Sequence, residues 1–137
     1  MKVILNKCYG GFGVSDAGYQ LYADKKGLPL YRYVNKDFGS GEFRRLDGGD
    51  PDRWLVYYFT KDLGSAPGKD DVDWDCHLYL GEESREDPAL VEVVEELGKE
   101  ASGRFAKLVV VDIPDGMDYV IDEYDGIETL HARVEEW

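Results

Sequence analysis

The spacing of apolar and polar residues predicts a chain of short strands with two helices. Short apolar or alternating runs, bounded by glycine, proline or polar clusters, are typical of strands. Such runs occupy residues 2–6, 30–34, 42–46, 54–59, 76–80, 107–113, 119–124 and 127–134. The last two runs flank Asp125-Gly126, which predicts a β-hairpin on a type I′ turn.

The first predicted helix runs from Asp16 to Lys26. Ser15 is a favourable N-cap, and the acidic Asp16 lies in the first turn, where the helix dipole favours negative charge. Two lysines close the last turn, and Gly27 is a good residue to end the helix. The chain therefore opens with a strand, a glycine-rich loop and a helix.

The second predicted helix begins after Asp87-Pro88, a favourable N-cap followed by proline at the first helical position. Its apolar residues recur at helical spacing, and the helix is expected to end at Gly98 or Gly103. Two helices among short strands define an α+β fold. We therefore expect one small domain of 137 residues, with a mostly antiparallel sheet and two helices.

Composition and charge restrict the possible functions. The chain is 43% hydrophobic and 33% charged, with a formal net charge of −13. Proteins that hold a phosphate backbone carry the opposite charge, so we expect no direct binding of nucleic acid. The longest uncharged stretch, Cys8 to Ser15, is too short to span a bilayer, and we expect no membrane association. Two cysteines indicate a reducing compartment.

The charge is unevenly distributed along the chain. Residues 1–69 carry 11 basic and 8 acidic side chains, whereas residues 70–137 carry 5 basic and 21 acidic ones. We expect two electrostatic faces on one domain, because no low-complexity linker separates the halves.

Four segments resemble a family of small bacteriophage and prophage proteins, over most of the chain outside residues 35–80. They are the N-x-C-Y-G-G-F-G-V-S opening from Asn6 to Ser15, the helix from Asp87 to Gly98, the strand end from Val111 to Asp115, and the E-Y-D-G-x-E turn from Glu123 to Glu128. Many members end in H-R-x-W, whereas this chain has His131-Ala132-Arg133 and a distant Trp137. The resemblance implies a phage origin and the host cytoplasm as the setting, and it implies no settled activity.

The glycine-rich loop is a candidate anion-binding site. A strand that leads through such a loop into a helix N-terminus exposes backbone N–H groups where a phosphate is favoured. An aromatic side chain would then stack on the base of a nucleotide-like ligand. The alternative is a tight turn with Phe12 in the core, because the spacing matches neither dinucleotide nor P-loop motifs. The predicted ligand-binding residues are Lys7, Gly10, Gly11, Gly13, Ser15, Arg44, Arg45 and Tyr57.

The acidic half suggests a different function. Glu92, Glu95 and Glu96 belong to a cluster of carboxylates on the second helix that resembles an array of phosphates. Such a surface would be attracted to the basic cleft of a nuclease or another DNA-binding enzyme.

A calcium site is disfavoured. Asp71, Asp73, Asp75 and Glu82 have the acidic spacing of a calcium loop, but Cys76 replaces the glycine that the turn needs. Alternate aspartates on a solvated strand face are the more usual arrangement. We therefore predict no metal site.

The cysteines and histidines form no recognisable catalytic constellation. Neighbours on a strand, such as Cys76 and His77, point to opposite faces, and no spacing rule pairs Cys8 with His131. We predict no catalytic residue and no cofactor, and we lean towards a protein without catalytic activity.

The sequence favours a non-catalytic, phage-encoded accessory or anti-defence protein of the host cytoplasm. The leading hypothesis is that it binds a small nucleotide-like or phosphate-bearing host ligand at the glycine-rich loop. One alternative is an acidic inhibitor that binds a host defence protein by mimicking nucleic acid, of the anti-CRISPR or anti-restriction type. A small phosphohydrolase and a virion-associated protein also remain open, and a homo-oligomer is possible.

Overall fold

The computed structural model describes residues 1–35, 41–46 and 56–133. Over these residues it contains two α-helices, eight strands and several single-turn 3₁₀ helices. In chain order they are β1 (Lys2–Asn6), α1 (Asp16–Lys26), β2 (Tyr31–Asn35), β3 (Phe43–Arg45), β4 (Tyr57–Phe59), β5 (His77–Leu78), α2 (Pro88–Leu97), β6 (Leu108–Asp112), β7 (Tyr119–Tyr124) and β8 (Ile127–Ala132).

Both helices have the predicted starts. The Gly18 N–H donates to the Ser15 hydroxyl oxygen at 3.0 Å, which caps α1. The Ala89 N–H donates to the Asp87 carboxylate at 3.0 Å, which caps α2. Gly98, at a φ of +59°, ends α2. It is one of the two endpoints predicted for this helix.

The strands form three separate sheets, and every described pairing is antiparallel. β1 pairs with β6, β7 pairs with β8, and the third sheet has the strand order β3-β2-β4-β5. Two helices with antiparallel sheets of short strands confirm the predicted α+β class. Asp125 and Gly126 have φ values of +52° and +94°, and positive φ at both central residues is what a type I′ turn requires.

The described residues divide into two compact units, here called unit 1 (1–22 and 80–137) and unit 2 (23–79). The expectation of a single domain therefore stays a prediction.

In unit 1, α2 packs on β1 and β6, and β8 lies beside β1. This arrangement explains why β1 is apolar without alternation, since Val3, Ile4 and Leu5 are all buried.

Unit 2 has an aromatic core on one face of its four-stranded sheet. Tyr33, Phe43 and Phe59 are buried there. Tyr33 and Phe59 pack edge to face with ring centroids 5.6 Å apart, a favourable geometry for aromatic pairs. This packing explains the aromatic residues at alternate positions of β2, Tyr31 and Tyr33, and the inward side of β4 at Tyr57 and Phe59.

Some predicted strands are shorter in the structure, and one is partly replaced. Cys76, expected to begin a strand, instead ends the 3₁₀ helix Trp74–Cys76. The Asp73 carboxylate accepts the Asp75 N–H at 3.1 Å, and this local bond favours a turn over extended backbone. Residues 54–55, the predicted turn at 48–51 and the tail from residue 134 lie outside the described residues.

Among the described residues, no helix is long and apolar enough to cross a membrane.

Candidate functional site

The glycine-rich loop packs closely against the β7–β8 turn. The Gly10 N–H donates to the Asp125 carbonyl at 3.3 Å. A Cβ on Gly126 would lie 2.6 Å from the backbone nitrogens of both Gly10 and Gly11. Only glycine permits this approach, so the glycine-rich loop and the β7–β8 turn are joined backbone to backbone.

The start of α1 is likewise engaged within unit 1. The Ser15 N–H donates to the Ala101 carbonyl at 2.9 Å, and the Ser15 hydroxyl donates to the Glu100 carbonyl at 2.6 Å. The Gly13 carbonyl accepts the Gly103 N–H at 2.9 Å. Lys7 donates from Nζ to the Glu128 carbonyl at 2.5 Å.

These contacts occupy groups that the predicted anion site would need. Several donors that a phosphate would use already have protein partners, and the carboxylate of Asp16 lies in the first turn of α1. A ligand would have to replace the bonds of Gly10 and Ser15. Ligand binding at the loop stays a prediction, while the geometry favours the interpretation of the loop as a packed turn.

Phe12, expected in the core under that interpretation, is half-buried, and the Arg85 guanidinium lies 5.4 Å from its ring centroid.

The three predicted ligand residues of unit 2 lie on two faces of its sheet. Arg45 on β3 and Tyr57 on β4 are both paired with Tyr33 on β2, the strand between them, so their side chains share one face. Arg44 is exposed and points to the other face, because neighbours on a strand alternate. Arg45 donates to Asp62 at 2.8 Å and lies over the Tyr31 ring. The structure therefore groups Arg45 with Tyr57 and separates both from Arg44.

A buried polar network that the sequence did not reveal lies beside β1. Asn6 and Glu128 are the buried polar or charged residues of the described chain, at 0% and 3% exposure. The Glu128 carboxylate accepts the Asn6 N–H at 2.8 Å and both terminal nitrogens of Arg85 at 3.1 and 3.0 Å. Two parallel bonds between guanidinium and carboxylate are a strong, directional arrangement.

The Asn6 side chain completes this network. Its Nδ2 donates to the Cys8 carbonyl at 2.9 Å and to the Gly126 carbonyl at 2.7 Å, and its Oδ1 accepts the Lys107 N–H at 2.8 Å. Each of its donors and acceptors thus has a partner, as a buried amide requires. Asn6 begins and Glu128 ends two of the sequence motifs described above, Asn6–Ser15 and Glu123–Glu128, and these motifs were the signal that could have indicated both residues. Arg85 lies in a polar run without any such signal.

An open cleft of about 400 Å³ adjoins the Arg85–Glu128 ion pair. Burial and a hydrogen bond with Glu86 raise the pKa of Tyr119 in its wall, so this phenol stays neutral at physiological pH. The other lining residues are Glu82, Glu83, Ile121 and Glu123. Because Glu128 already neutralises Arg85, the remaining charges of the cleft are negative.

α2 presents carboxylates to solvent. Glu92, Glu95 and Glu96 are exposed on the side opposite its buried residues. Glu95 forms an ion pair with Lys2 at 2.8 Å, and both side chains are substantially exposed. α2 has no acidic residue in its first turn and no basic residue in its last.

The last turn of α2 opposes the helix dipole, because it holds Glu95 and Glu96 and no basic residue, whereas the Asp87 carboxylate at the N-cap agrees with the dipole. Carboxylates near a helix C-terminus are unfavourable by roughly 0.3–1 kcal/mol each. α1 of the same chain has the favourable order, with Asp16 in its first turn and Lys25 and Lys26 in its last. Glu95 and Glu96 at the end of α2 therefore gain no stabilisation from its dipole.

The cysteines and histidines do not form a nucleophile–base pair in the geometry shown. The Cys76 Sγ lies 3.5 Å from the Asp73 carboxylate, and burial together with that carboxylate raises the pKa of the thiol. Burial lowers the pKa of His77, whereas the exposed His131 contacts Asp122 at 2.6 Å. A raised thiol pKa disfavours the nucleophilic thiolate.

No group of three or more potential metal ligands occurs within residues 1–35, 41–46 and 56–133. Asp73 and Asp75, part of the calcium-like spacing, are instead joined by the turn described above.

Comparison with protein-family models, with curated proteins and with solved structures finds no match for this chain.

Proposed function

We propose that this protein is a non-catalytic inhibitor whose acidic surface binds the basic, nucleic-acid-binding face of a partner protein. The observation that supports the proposal is the row of carboxylates that α2 presents to solvent, Glu92, Glu95 and Glu96. Two of them, Glu95 and Glu96, lie in the last turn, where the helix dipole gives no stabilising reason for negative charge. The resemblance to phage proteins suggests a host defence nuclease as the partner.

The charge of unit 1 supports the same function. Its sequence carries 18 acidic and 7 basic side chains, whereas unit 2 carries 11 acidic and 9 basic ones. A concentrated negative field accelerates association with a basic cleft, and it weakens as salt screens the charges. The partner's cleft normally holds phosphates, which the glutamate carboxylates would replace.

Displacement of DNA tests this proposal. The full chain is titrated into a purified host restriction nuclease bound to fluorescently labelled DNA, and anisotropy reports release. We expect displacement that weakens steeply between roughly 0.05 and 0.2 M salt. Failure to displace DNA from a panel of restriction and CRISPR nucleases would contradict the proposal.

Matched variants identify the surface. The double variant Glu92→Gln/Glu96→Gln should weaken displacement at least about tenfold, which is 1.4 kcal/mol for loss of close charge pairs. Asp70→Asn/Asp75→Asn removes the same charge from exposed residues of unit 2 and should leave displacement nearly unchanged. Equal weakening by both doubles would show that only net charge matters.

Binding of a small nucleotide-like ligand is a second candidate function, supported by Arg45 and Tyr57 on one sheet face. Arg45 would hold a phosphate, and an aromatic ring on the same face would stack the base. Native mass spectrometry of protein from infected cells, before and after denaturation, would reveal a co-purified ligand. Arg45→Ala should abolish its retention, and Arg44→Ala, on the opposite face, is the control.

A further inference from the structure

The two outer edges of the β1–β6 sheet differ in their hydrogen bonding. On the β1 side, the Ile4 N–H donates to the Arg85 carbonyl at 2.9 Å, and Arg85 Nη1 donates to the Ile4 carbonyl at 3.0 Å. The Asn6 N–H donates to Glu128, as described above. The β1 edge is therefore closed by other parts of unit 1.

The register shows which groups of β6 point away from β1. The Ile113 N–H donates to the Met1 carbonyl, and β1 and β6 pair residue by residue without a bulge. Because hydrogen-bonded pairs alternate in an antiparallel ladder, Val109 and Val111 bond towards β1. The backbone groups of Leu108, Val110 and Asp112 consequently point outwards.

Only the start of this outer edge has a partner in the described part of the chain. The Leu108 N–H donates to the Ser102 hydroxyl at 2.9 Å. Within residues 1–35, 41–46 and 56–133, no hydrogen bond satisfies the outward N–H groups of Val110 and Asp112. Such groups form a template for another strand.

The middle of the β6 edge has little of the usual protection against strand pairing. Natural edge strands carry charged side chains, proline or a bulge, and the charged residue of β6 is Asp112, at its end. Here Val109, Val110 and Val111 follow one another, each only partly buried, in a regular register. An edge of this kind is stable when a second strand covers it.

We propose that β6 pairs antiparallel with β6 of a second copy of this chain, about a twofold axis at Val111. This register places Val110 opposite Asp112 of the second copy, and the symmetry repeats the pair. Four backbone hydrogen bonds then use the outward donors and acceptors of both residues.

The residues at both ends of the proposed ladder cannot extend it. The next outward residues are Leu108, whose N–H is already bonded, and Pro114, which has no N–H. These two limits lie three residues before and three residues after Val111. The open stretch is therefore symmetric about the proposed axis, as an isologous twofold interface requires, and this favours a second copy over an unrelated strand.

Size-exclusion chromatography with light scattering, on the full chain at several concentrations, tests the pairing. Val110→Pro removes one outward N–H and leaves the β1 ladder intact, because proline is tolerated on the free side of an edge strand. Val110→Thr keeps both the N–H and the β-branch. We expect dimers for the native chain and Val110→Thr, and monomers for Val110→Pro with an unchanged far-UV circular dichroism spectrum.

Charge at the proposed axis gives a test that does not depend on proline. Val111→Lys and Val111→Glu should each be monomeric, because like charges would meet at the axis, and their mixture should restore a dimer. A native chain that is monomeric at every concentration overturns the pairing, as does a Val110→Pro dimer.

The dimer is measured without a partner protein. Salt should strengthen pairing between two acidic copies, whereas it should weaken the DNA displacement proposed above. Either proposal can thus fail without the other.

Discussion

Replacing Glu128 by glutamine should strongly destabilise the protein. The Glu128 carboxylate is almost completely buried and accepts bonds from the Asn6 N–H and from both terminal nitrogens of Arg85. Glutamine keeps the size of the side chain, but its NH₂ group turns one acceptor into a donor facing these donors. The Arg85 side chain, only 12% exposed, is then left with an uncompensated charge.

The size of the effect follows from the burial of the pair. Breaking a buried ion pair by removing one partner costs about 3–5 kcal/mol. For a chain of this size, each kcal/mol lowers the melting temperature by roughly 3 °C, which predicts a fall of roughly 10–15 °C.

Urea and thermal unfolding followed by circular dichroism measure this cost. Glu123→Gln is the matched control, because Glu123 lines the same cleft but is exposed, and it should cost less than about 1 kcal/mol. The double variant Arg85→Met/Glu128→Leu should recover much of the loss, since apolar replacements avoid the cost of desolvating two charges. A loss below about 1 kcal/mol for Glu128→Gln would refute the reasoning.

Three further predictions concern single side chains. Gly126→Ala should lower the free energy of unfolding by about 1–3 kcal/mol more than Gly116→Ala does. Both glycines have positive φ, but only Gly126 faces close backbone atoms. Equal losses for the two variants in urea unfolding would contradict this prediction. Burial lowers the pKa of His77 below its ordinary 6.5, so the protein should lose stability as pH falls through this range, and His77→Phe should reduce that loss between neutral pH and about pH 5. A parallel pH profile for His77→Phe would exclude the effect. Glu96→Gln should raise the free energy of unfolding by roughly 0.3–1 kcal/mol while weakening partner binding. A lower free energy of unfolding would show that the helix dipole does not disfavour the Glu96 carboxylate.

The sequence alone predicted those elements whose signals are local. Ser15 and Asp87 each cap a helix through bonds to residues two or three positions ahead, so both helix starts were predictable. The Asp125-Gly126 turn was also predictable from a local signal, because its positive φ values follow from the residue types. The 3₁₀ turn at Trp74–Cys76 was missed, because a local bond from Asp73 outweighed an apparent strand pattern.

The candidate sites depended on contacts between distant parts of the chain. The glycine-rich loop looked like an anion site because free N–H groups were expected there, and Asp125, more than a hundred residues further along the chain, accepts one of them. The opposite faces of Arg44 and Arg45, by contrast, follow from strand alternation, which the predicted strand over residues 42–46 already implied. Which donors stay free is decided by the fold.

The sequence by itself determined the α+β class, both helices, the hairpin and the concentration of negative charge, because each follows from residue types and short-range spacing. Only the tertiary structure decided that Asn6, Arg85 and Glu128 form one buried network and that the β1 edge is closed while β6 exposes Val110. Burial and hydrogen-bond satisfaction depend on which distant residues meet, and residue order along the chain does not encode this locally.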